Sequence, residues 1–174
     1  MNNFSPFRSS AFRRSVLAAL VLVASTSSHA AVTTSIGVTA TVTAACTLTT
    51  TSLSFGTTVN AMSTTGTEGT GTLSATCTNG APYTIGLDAG STTGATVSTR
   101  QMVNTTTASS ANLAYSLSTT LDGADWDLSG GTNVYAGTGN GAVQAITVFG
   151  KIAANQITAL TGAYTDTVTA TINF

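Results

Sequence analysis

The sequence predicts an all-β protein, an antiparallel β-sandwich. Several short runs alternate apolar residues with threonine or serine, which is the period-two pattern of strands with one buried face. Glycines and turn dipeptides separate these runs at close spacing, as in sandwich folds. No run of useful length has the 3.6-residue period of a helix. Low charge and few aromatic residues could indicate disorder, but regular alternation of Val, Ile, Leu and Tyr favours folded strands.

The first thirty residues have the pattern of a signal peptide. Three arginines within the first fourteen residues precede the apolar run 16–24, which is too short to span a bilayer comfortably. Small residues follow, and we expect cleavage after Ala30. Residues 31–174 contain no second apolar run long enough for an anchor, so the sequence predicts no membrane insertion once the leader is removed.

Charge limits the partners of the mature chain. After Ala30 only Arg100 and Lys151 are basic, whereas all six acidic residues remain. Two cations cannot neutralise a phosphate backbone, and this excludes nucleic acid as a partner. They form no basic patch for anionic lipid either.

The strand prediction with the strictest alternation is the stretch from Val32 to Cys46. Ile36, Val38, Ala40 and Val42 share one parity, and glycine and threonines occupy the other. Two interpretations stay open. The segment is the first strand of its own sandwich, or it leaves its own domain and completes the sheet of a neighbour.

The two cysteines are predicted to form a disulfide. Export to an oxidising compartment makes pairing of Cys46 with Cys77 the default. Closing a loop of this length stabilises the fold by about 3–4 kcal/mol in the chain-entropy model. The bridge would tie the first folded strand to the alternating run 73–77.

The first half of the predicted sandwich follows in order. A strand with apolar anchors occupies 46–55, and a glycine-rich loop or an irregular strand edge is expected at 57–71. Residues 73–77 form the next strand. The Asn-Gly dipeptide at 79–80 predicts a tight hairpin into a strand at 83–87.

The second half is predicted to contain four more strands. Short runs at 100–103 and 113–117 precede a loop at 122–141 that is rich in Gly, Asp and Asn. A strand at 143–152 follows, with a β-bulge near Gly150. A single last strand begins at Gly162, and on one parity it carries Tyr164, Asp166, Val168, Ala170, Ile172 and Phe174.

The sequence contains few residues that are suited to catalysis. The one histidine, His29, lies in the predicted signal peptide, so the mature chain has no imidazole base, no Ser–His pair and no histidine for a zinc triad. Lys151 could activate a serine, but a lone lysine on a strand is more often a solvated edge charge. We therefore predict a protein that is not an enzyme and that uses no cofactor or metal.

The loop at 122–141 leaves alternatives open. Asp122, Asp125 and Asp127 could supply a glycosidase pair or carboxylate ligands for calcium, although their clustering fits a turn better. Trp126 and Tyr135 could stack on a sugar or simply cover the edge of the sandwich.

Several segments together carry a family pattern. They are the alternating strand before Cys46 and the segments Leu53-Ser54-Phe55-Gly56, Cys77-Thr78-Asn79-Gly80, Tyr83-Thr84-Ile85, Leu87-Asp88-Ala89-Gly90, Arg100-Gln101-Met102, Leu113-Ala114-Tyr115, Val148-Phe149-Gly150 and Gly162-Ala163-Tyr164-Thr165-Asp166. In this order, they make the mature chain similar to the spore coat protein U domain family. That family includes major subunits of archaic chaperone–usher pili such as Csu pili.

The resemblance implies an incomplete immunoglobulin-like sandwich, residues 46–174, that lacks its last strand. A periplasmic chaperone would fill the gap first. At an outer-membrane usher, residues 31–45 of an identical or related pilin subunit would then replace it. The donor residues would be Ile36, Val38, Ala40 and Val42, and the acceptor strand would present Tyr164, Val168, Ala170, Ile172 and Phe174.

That assignment predicts a structural subunit of a pilus or fimbria that is secreted through the periplasm to the cell surface and supports adhesion and biofilm formation. Two alternatives remain. One is a self-complete secreted module that binds carbohydrate or another surface ligand, in which residues 32–44 pair within their own domain. The other is a secreted hydrolase that uses the aspartates of the 122–141 loop.

Overall fold

The structure of the protein is a computed structural model that describes residues 29–107 and 111–174. Residues 1–28, most of the predicted signal peptide, lie outside the described residues. The chain divides into two compact units, one ending at Ala40 and one comprising Thr41–Phe174. Residues 29–45 form no helix or strand. Within the described ranges, no helix is long and apolar enough to cross a membrane.

All strands among the described residues lie in the second unit, and the described residues of that unit contain no helix. The strands are β1 Cys46–Ser54, β2 Thr67–Cys77, β3 Pro82–Leu87, β4 Gln101–Asn104, β5 Leu113–Ser118, β6 Tyr135–Thr138, β7 Val143–Ile152, β8 Tyr164–Thr165 and β9 Ala170–Asn173.

The strands form two sheets, and every pairing is antiparallel. The larger sheet has the order β1-β2-β7-β5-β4-β8, and the smaller one β6-β3-β9. The core contains inward-facing residues of both sheets, among them Leu73, Ala75, Ile85, Leu117 and Ile146. This arrangement confirms the predicted all-β sandwich, because alternate residues of the central strands are buried.

The predicted disulfide between Cys46 and Cys77 is present. The two cysteines are direct partners in the β1–β2 register, so the bridge closes the end of that ladder. Next to it, the amide of Thr78 donates to the carbonyl of Ala45 over 2.9 Å. The cross-link therefore fixes where the folded domain begins.

The predicted loop at 57–71 is wrong in its second half, because β2 already begins at Thr67. Gly69 and Gly71 belong to this strand and are required by close packing rather than by a turn. A Cβ at Gly69 would lie 2.5 Å from the carbonyl oxygen of Ser54, and one at Gly71 would lie 3.1 Å from Cβ of Leu53.

The bulge predicted near Gly150 is also wrong. The β2–β7 register runs unbroken through the pair Gly69–Gly150. The register shift lies in β1 instead, between Thr51 and Ser54. Gly150 packs beneath Leu53, where an added Cβ would come within 2.8 Å of the Leu53 side chain.

The Asn79-Gly80 turn forms, but it does not make a hairpin. The amide of Ala81 donates to the carbonyl of Thr78 over 3.0 Å, and Gly80 has φ 80°. However, β3 pairs with β6 and β9 and not with β2. The turn therefore carries the chain from one sheet to the other. The partner strand β6 lies in the predicted loop and was missed.

The predicted continuous last strand is wrong as well. Residues 164–165 form β8, which pairs with β4 in the larger sheet. Residues 170–173 form β9, which pairs with β3 in the smaller sheet. Between them, residues 166–169 cross from one sheet to the other, and we call this segment the sheet switch. Alternation persists through the switch, because one side of the chain faces the interior throughout.

Candidate functional site: an open groove in the sandwich

The second unit contains a groove of about 1100 Å³ that opens into its hydrophobic core. One wall is segment 50–62, which comprises the end of β1 and the following loop. The other wall is segment 157–170, which includes β8 and the sheet switch. The floor consists of core side chains of both sheets: Leu73, Leu87, Met102, Leu113, Tyr115, Leu117, Val148 and Ile152.

The position of the groove follows from the strand order. β1 and β8 are the two edges of the larger sheet, and β9 is an edge of the smaller sheet. Edge strands carry unpaired backbone N–H and C=O groups. A further extended segment could bind between such edges, because its backbone could form hydrogen bonds with an edge strand and its apolar side chains could pack on the floor.

Aromatic packing shapes the wall that contains β1. The side chain of Phe55 covers Gly69 and Gly150, since a Cβ at either position would lie 3.0 Å from its ring. The same ring meets Tyr115 edge-on, with ring centroids 6.2 Å apart. The two glycines therefore make room for an aromatic wall against the floor.

A polar cluster fixes the opposite wall. Tyr115 donates its hydroxyl to Oδ2 of Asp166 over 2.6 Å. Oδ1 of Asp166 accepts the amide and the hydroxyl of Ser91, at 2.8 and 2.7 Å, and the amide of Thr167 at 2.8 Å. Burial and this hydrogen bond raise the pKa of Tyr115 above its usual range. Both carboxylate oxygens are thus occupied by donors within the domain.

The turn that supplies Ser91 is itself held by a carboxylate. Oδ1 of Asp88 accepts the amides of Gly90 and Thr169 at 3.0 and 2.9 Å. Burial alone would raise the pKa of Asp88, but these backbone hydrogen bonds outweigh it, so the pKa lies below its ordinary value. Asp88 therefore ties the turn to the end of the sheet switch.

Sequence reasoning missed the role of Arg100. Its guanidinium is fully buried and donates to the carbonyl oxygens of Asp88 and Val97 at 2.9 and 2.8 Å. It also donates to those of Leu87 and Trp126 at 3.0 and 2.7 Å. Burial lowers the pKa of Arg100. Arg100 is one of two basic residues after Ala30, and this was the available signal, but its four backbone partners come from three separate segments of the chain.

Trp126 does not fulfil the sugar-stacking alternative. It is fully buried, and its indole N–H donates to the carbonyl of Ile85 over 2.8 Å. Tyr135 packs next to it, with ring centroids 6.4 Å apart. The tryptophan is therefore a core residue beneath the smaller sheet.

Two of the three aspartates of the same loop, Asp122 and Asp127, have side-chain partners within the domain. Asp122 forms an ion pair with the exposed Lys151, whose Nζ also lies 3.9 Å from Glu68. The carboxylate of Asp127 accepts the amides of Leu128 and Thr132. In the described parts of the chain, no three Asp, Glu, His or Cys residues gather where they could hold a metal ion.

The predicted acceptor residues divide into two groups. Tyr164, Val168 and Ala170 line the groove. Ile172 does not line the groove; it lies opposite Ile85 in the β3–β9 ladder and packs against the core. Phe174 is 57% exposed and lies beside β3 and β6, outside the groove.

The predicted donor residues are exposed. The side chains of Ile36, Val38 and Val42 are each more than four-fifths accessible, and Ala40 is also exposed. The self-complete alternative requires residues 32–44 to pair as a strand of their own domain, whereas this stretch forms no strand.

Comparison with known proteins agrees with this architecture. The fold is similar to a chain in the crystal structure of the CsuC–CsuE chaperone–tip adhesion subunit pre-assembly complex from archaic chaperone-usher Csu pili of Acinetobacter baumannii. The TM-score is 0.55 at 20% identity, and the match covers 77% of this chain but only 40% of that chain. The likeness supports the predicted immunoglobulin-like fold.

Sequence comparison identifies the family. A search of curated proteins gave no match. The family model described as Spore Coat Protein U domain matches residues 32–171, which is most of the chain and includes both the exposed alternating segment and the open groove. The chain therefore belongs to the spore coat protein U domain family.

Proposed function

We propose that the protein is a structural subunit of a surface pilus that is assembled by the chaperone–usher pathway through donor-strand exchange. One observation carries the proposal. The same chain contains a sandwich with an open apolar groove and an exposed segment whose apolar residues have the period of a strand. Each subunit would donate residues 31–45 to one neighbour and accept the same segment from another.

The donor segment suits the groove in pattern and energy. In an extended strand, the side chains of Ile36, Val38, Ala40 and Val42 point to one side and span about 20 Å. Burying each large aliphatic side chain contributes roughly 1.5–3 kcal/mol, so the three large ones contribute about 5–9 kcal/mol before ordering entropy. Backbone hydrogen bonds add about 0.5–1.5 kcal/mol each.

Donor-strand exchange would make the subunits polymerise into a filament. The donating surface and the accepting surface differ, so the contact is heterologous and does not close on itself. Identical or related subunits would therefore polymerise. The proposed role is structural and requires no catalytic residue and no cofactor.

The assembly partners follow from the exposed groove. An empty apolar groove would promote aggregation, so a periplasmic chaperone would occupy it first. At an outer-membrane usher, the donor strand of another subunit would then replace the chaperone. The matched Csu structure is a chaperone–subunit complex, and this supports the same class of partner here. We extend the proposal to a location on the cell surface and to a role in adhesion and biofilm formation.

The parity of the donor segment provides the test. A labelled synthetic peptide of residues 31–45 is added to the exported chain, which is first dissociated by heating in denaturant without reductant and then refolded as a monomer at high dilution. Peptides with Val38→Asp and Thr39→Asp carry the same charge on opposite faces of the strand. We expect the wild-type and Thr39→Asp peptides to bind with similar affinity. We expect Val38→Asp to bind at least about 100-fold more weakly, because its carboxylate would enter an apolar groove.

Two results would count against donor-strand exchange. The first is a lack of binding by the wild-type peptide to folded, disulfide-bonded protein. The second is equal binding of the two aspartate peptides, since recognition would then not depend on the face that carries the apolar residues.

A further inference from the structure

We propose that Tyr115 and Asp166 are positioning residues that hold the groove open at the width of one strand while it is empty. The inference rests on the proposed function, because it concerns how the groove is kept ready for a donor. It assigns to the polar pair a role in affinity for the strand that is separate from its role in the stability of the domain.

Tyr115 lies in the floor and reaches both walls. Its ring contacts Phe55 in the wall that contains β1, and its hydroxyl donates to Asp166 in the sheet switch. All three residues line the groove. One side chain therefore sets the separation of the two walls, through its ring on one side and its hydroxyl on the other.

The sheet switch depends on such side-chain anchors. Residues 166–169 lie outside the paired parts of β8 and β9, so they have no ladder of their own. Their hydrogen bonds to the rest of the domain run to Tyr115 through the carboxylate of Asp166, and to the turn at 88–91 through the carboxylates of Asp166 and Asp88 and through the amide of Asp88, which donates to the carbonyl of Thr169. Loss of these bonds would free the switch to move.

The turn at 88–91 is shaped to receive the Asp166 carboxylate. Gly90 has φ 88°, and a Cβ at this position would lie 2.1 Å from Oδ2 of Asp166. Beneath the turn, the buried guanidinium of Arg100 donates to the carbonyl of Asp88. The carboxylate is thus bound between Tyr115 in the floor and a turn that is anchored in the core.

An ordered wall strengthens binding of the donor. If the wall of the empty groove fluctuates, only the fraction of molecules with an ordered wall can accept a strand, and the apparent affinity falls by that fraction. The Tyr115–Asp166 bond raises that fraction. Its loss weakens donor binding even where the domain remains folded.

The test compares two tyrosine hydroxyls. Tyr115→Phe removes the bond to Asp166 and keeps the ring against Phe55. The control, Tyr83→Phe, removes a buried tyrosine hydroxyl of the smaller sheet that lies near Tyr135 and outside the groove. Each exported full chain is dissociated by heating in denaturant without reductant and refolded as a monomer at high dilution. Its affinity for the labelled 31–45 peptide, hydrogen exchange at the amides of 167–169 and the thermal midpoint are then measured.

We expect Tyr115→Phe to bind the peptide about tenfold more weakly and to exchange faster at 167–169, because a hydrogen bond to a carboxylate is lost. Asp166→Asn should shift both readouts in the same direction. Tyr83→Phe should leave the affinity within about twofold of wild type. Wild-type affinity for the peptide in both Tyr115→Phe and Asp166→Asn would overturn the inference, even if their thermal midpoints fall, because the pair would then act on stability alone.

The outcome separates this inference from the function on which it rests. If the wild-type chain fails to bind the peptide, the proposed function fails. If the wild-type chain binds and both variants bind equally well, only the positioning role fails.

Discussion

Replacing Arg100 should destabilise the domain far more than replacing any exposed charge. Its guanidinium is buried and donates to four backbone carbonyls, which come from the end of β3 and the turn after it, from the segment before β4 and from Trp126. Arg100→Met fills a similar volume but donates nothing. The hydrogen bonds to Leu87 and Trp126 are themselves buried, so these two carbonyl oxygens would lose their partner away from water.

The magnitude follows from those two carbonyls. Leaving a buried acceptor unsatisfied costs about 1–3 kcal/mol, so the pair costs about 2–6 kcal/mol. A domain of this size is stable by about 5–15 kcal/mol, and the loss is therefore a large share of the total. With a urea m-value of about 2 kcal/mol/M, a loss of 4 kcal/mol lowers the unfolding midpoint by about 2 M.

The assay is urea unfolding of the oxidised monomer, followed by Trp126 fluorescence. Lys151→Met is the matched control, because it removes the other basic residue of the domain, whose ion pair is exposed. That variant should unfold at the wild-type midpoint. A midpoint for Arg100→Met within about 0.3 M of wild type would refute the reasoning, since the guanidinium could then not be satisfying buried carbonyls.

Two further predictions concern the disulfide and acid stability. Reducing the Cys46–Cys77 bridge should lower the free energy of unfolding by about 3–4 kcal/mol in urea titrations, and an unchanged midpoint in reductant would contradict the entropic argument. The lowered pKa of Asp88 means that its contribution is complete above its unfolded pKa of about 3.9 and is lost as the pH falls through the lower folded value. The thermal midpoint of the wild type should therefore decrease when the pH is lowered below about 4, and that of Asp88→Asn should decrease less. If the thermal midpoints of the two proteins decrease equally below about pH 4, Asp88 is not responsible for the loss of stability in acid.

Alternation along the chain was sufficient to predict most strands, because burial of one face is a local property of the sequence. The predicted runs at 83–87, 113–117 and 143–152 correspond to β3, β5 and β7. The pairing of Cys46 with Cys77 also followed from composition and export. The open groove was expected from the family resemblance.

The partners of each strand are not local, and this is where prediction failed. The period-two pattern of 164–174 is the same whether the chain stays in one sheet or changes sheets, so the sequence pattern does not reveal the sheet switch. Glycines at 69 and 71 suggested a loop, although they mark close approach to Leu53 and Ser54. The four carbonyls around Arg100 come from the end of β3 with its following turn, from the segment before β4 and from the loop that contains Trp126, and a single sequence does not indicate that they meet.

The proposed donor-strand exchange links each chain to the next one. The most direct measurement is a denaturing gel of the surface protein, with an unheated sample beside a boiled one. Strand exchange predicts a ladder of oligomers without heating that collapses to monomer on boiling, because each joint buries a strand in the core of its neighbour. A single monomer band in both lanes, from protein shown to be folded and disulfide-bonded, would contradict the account.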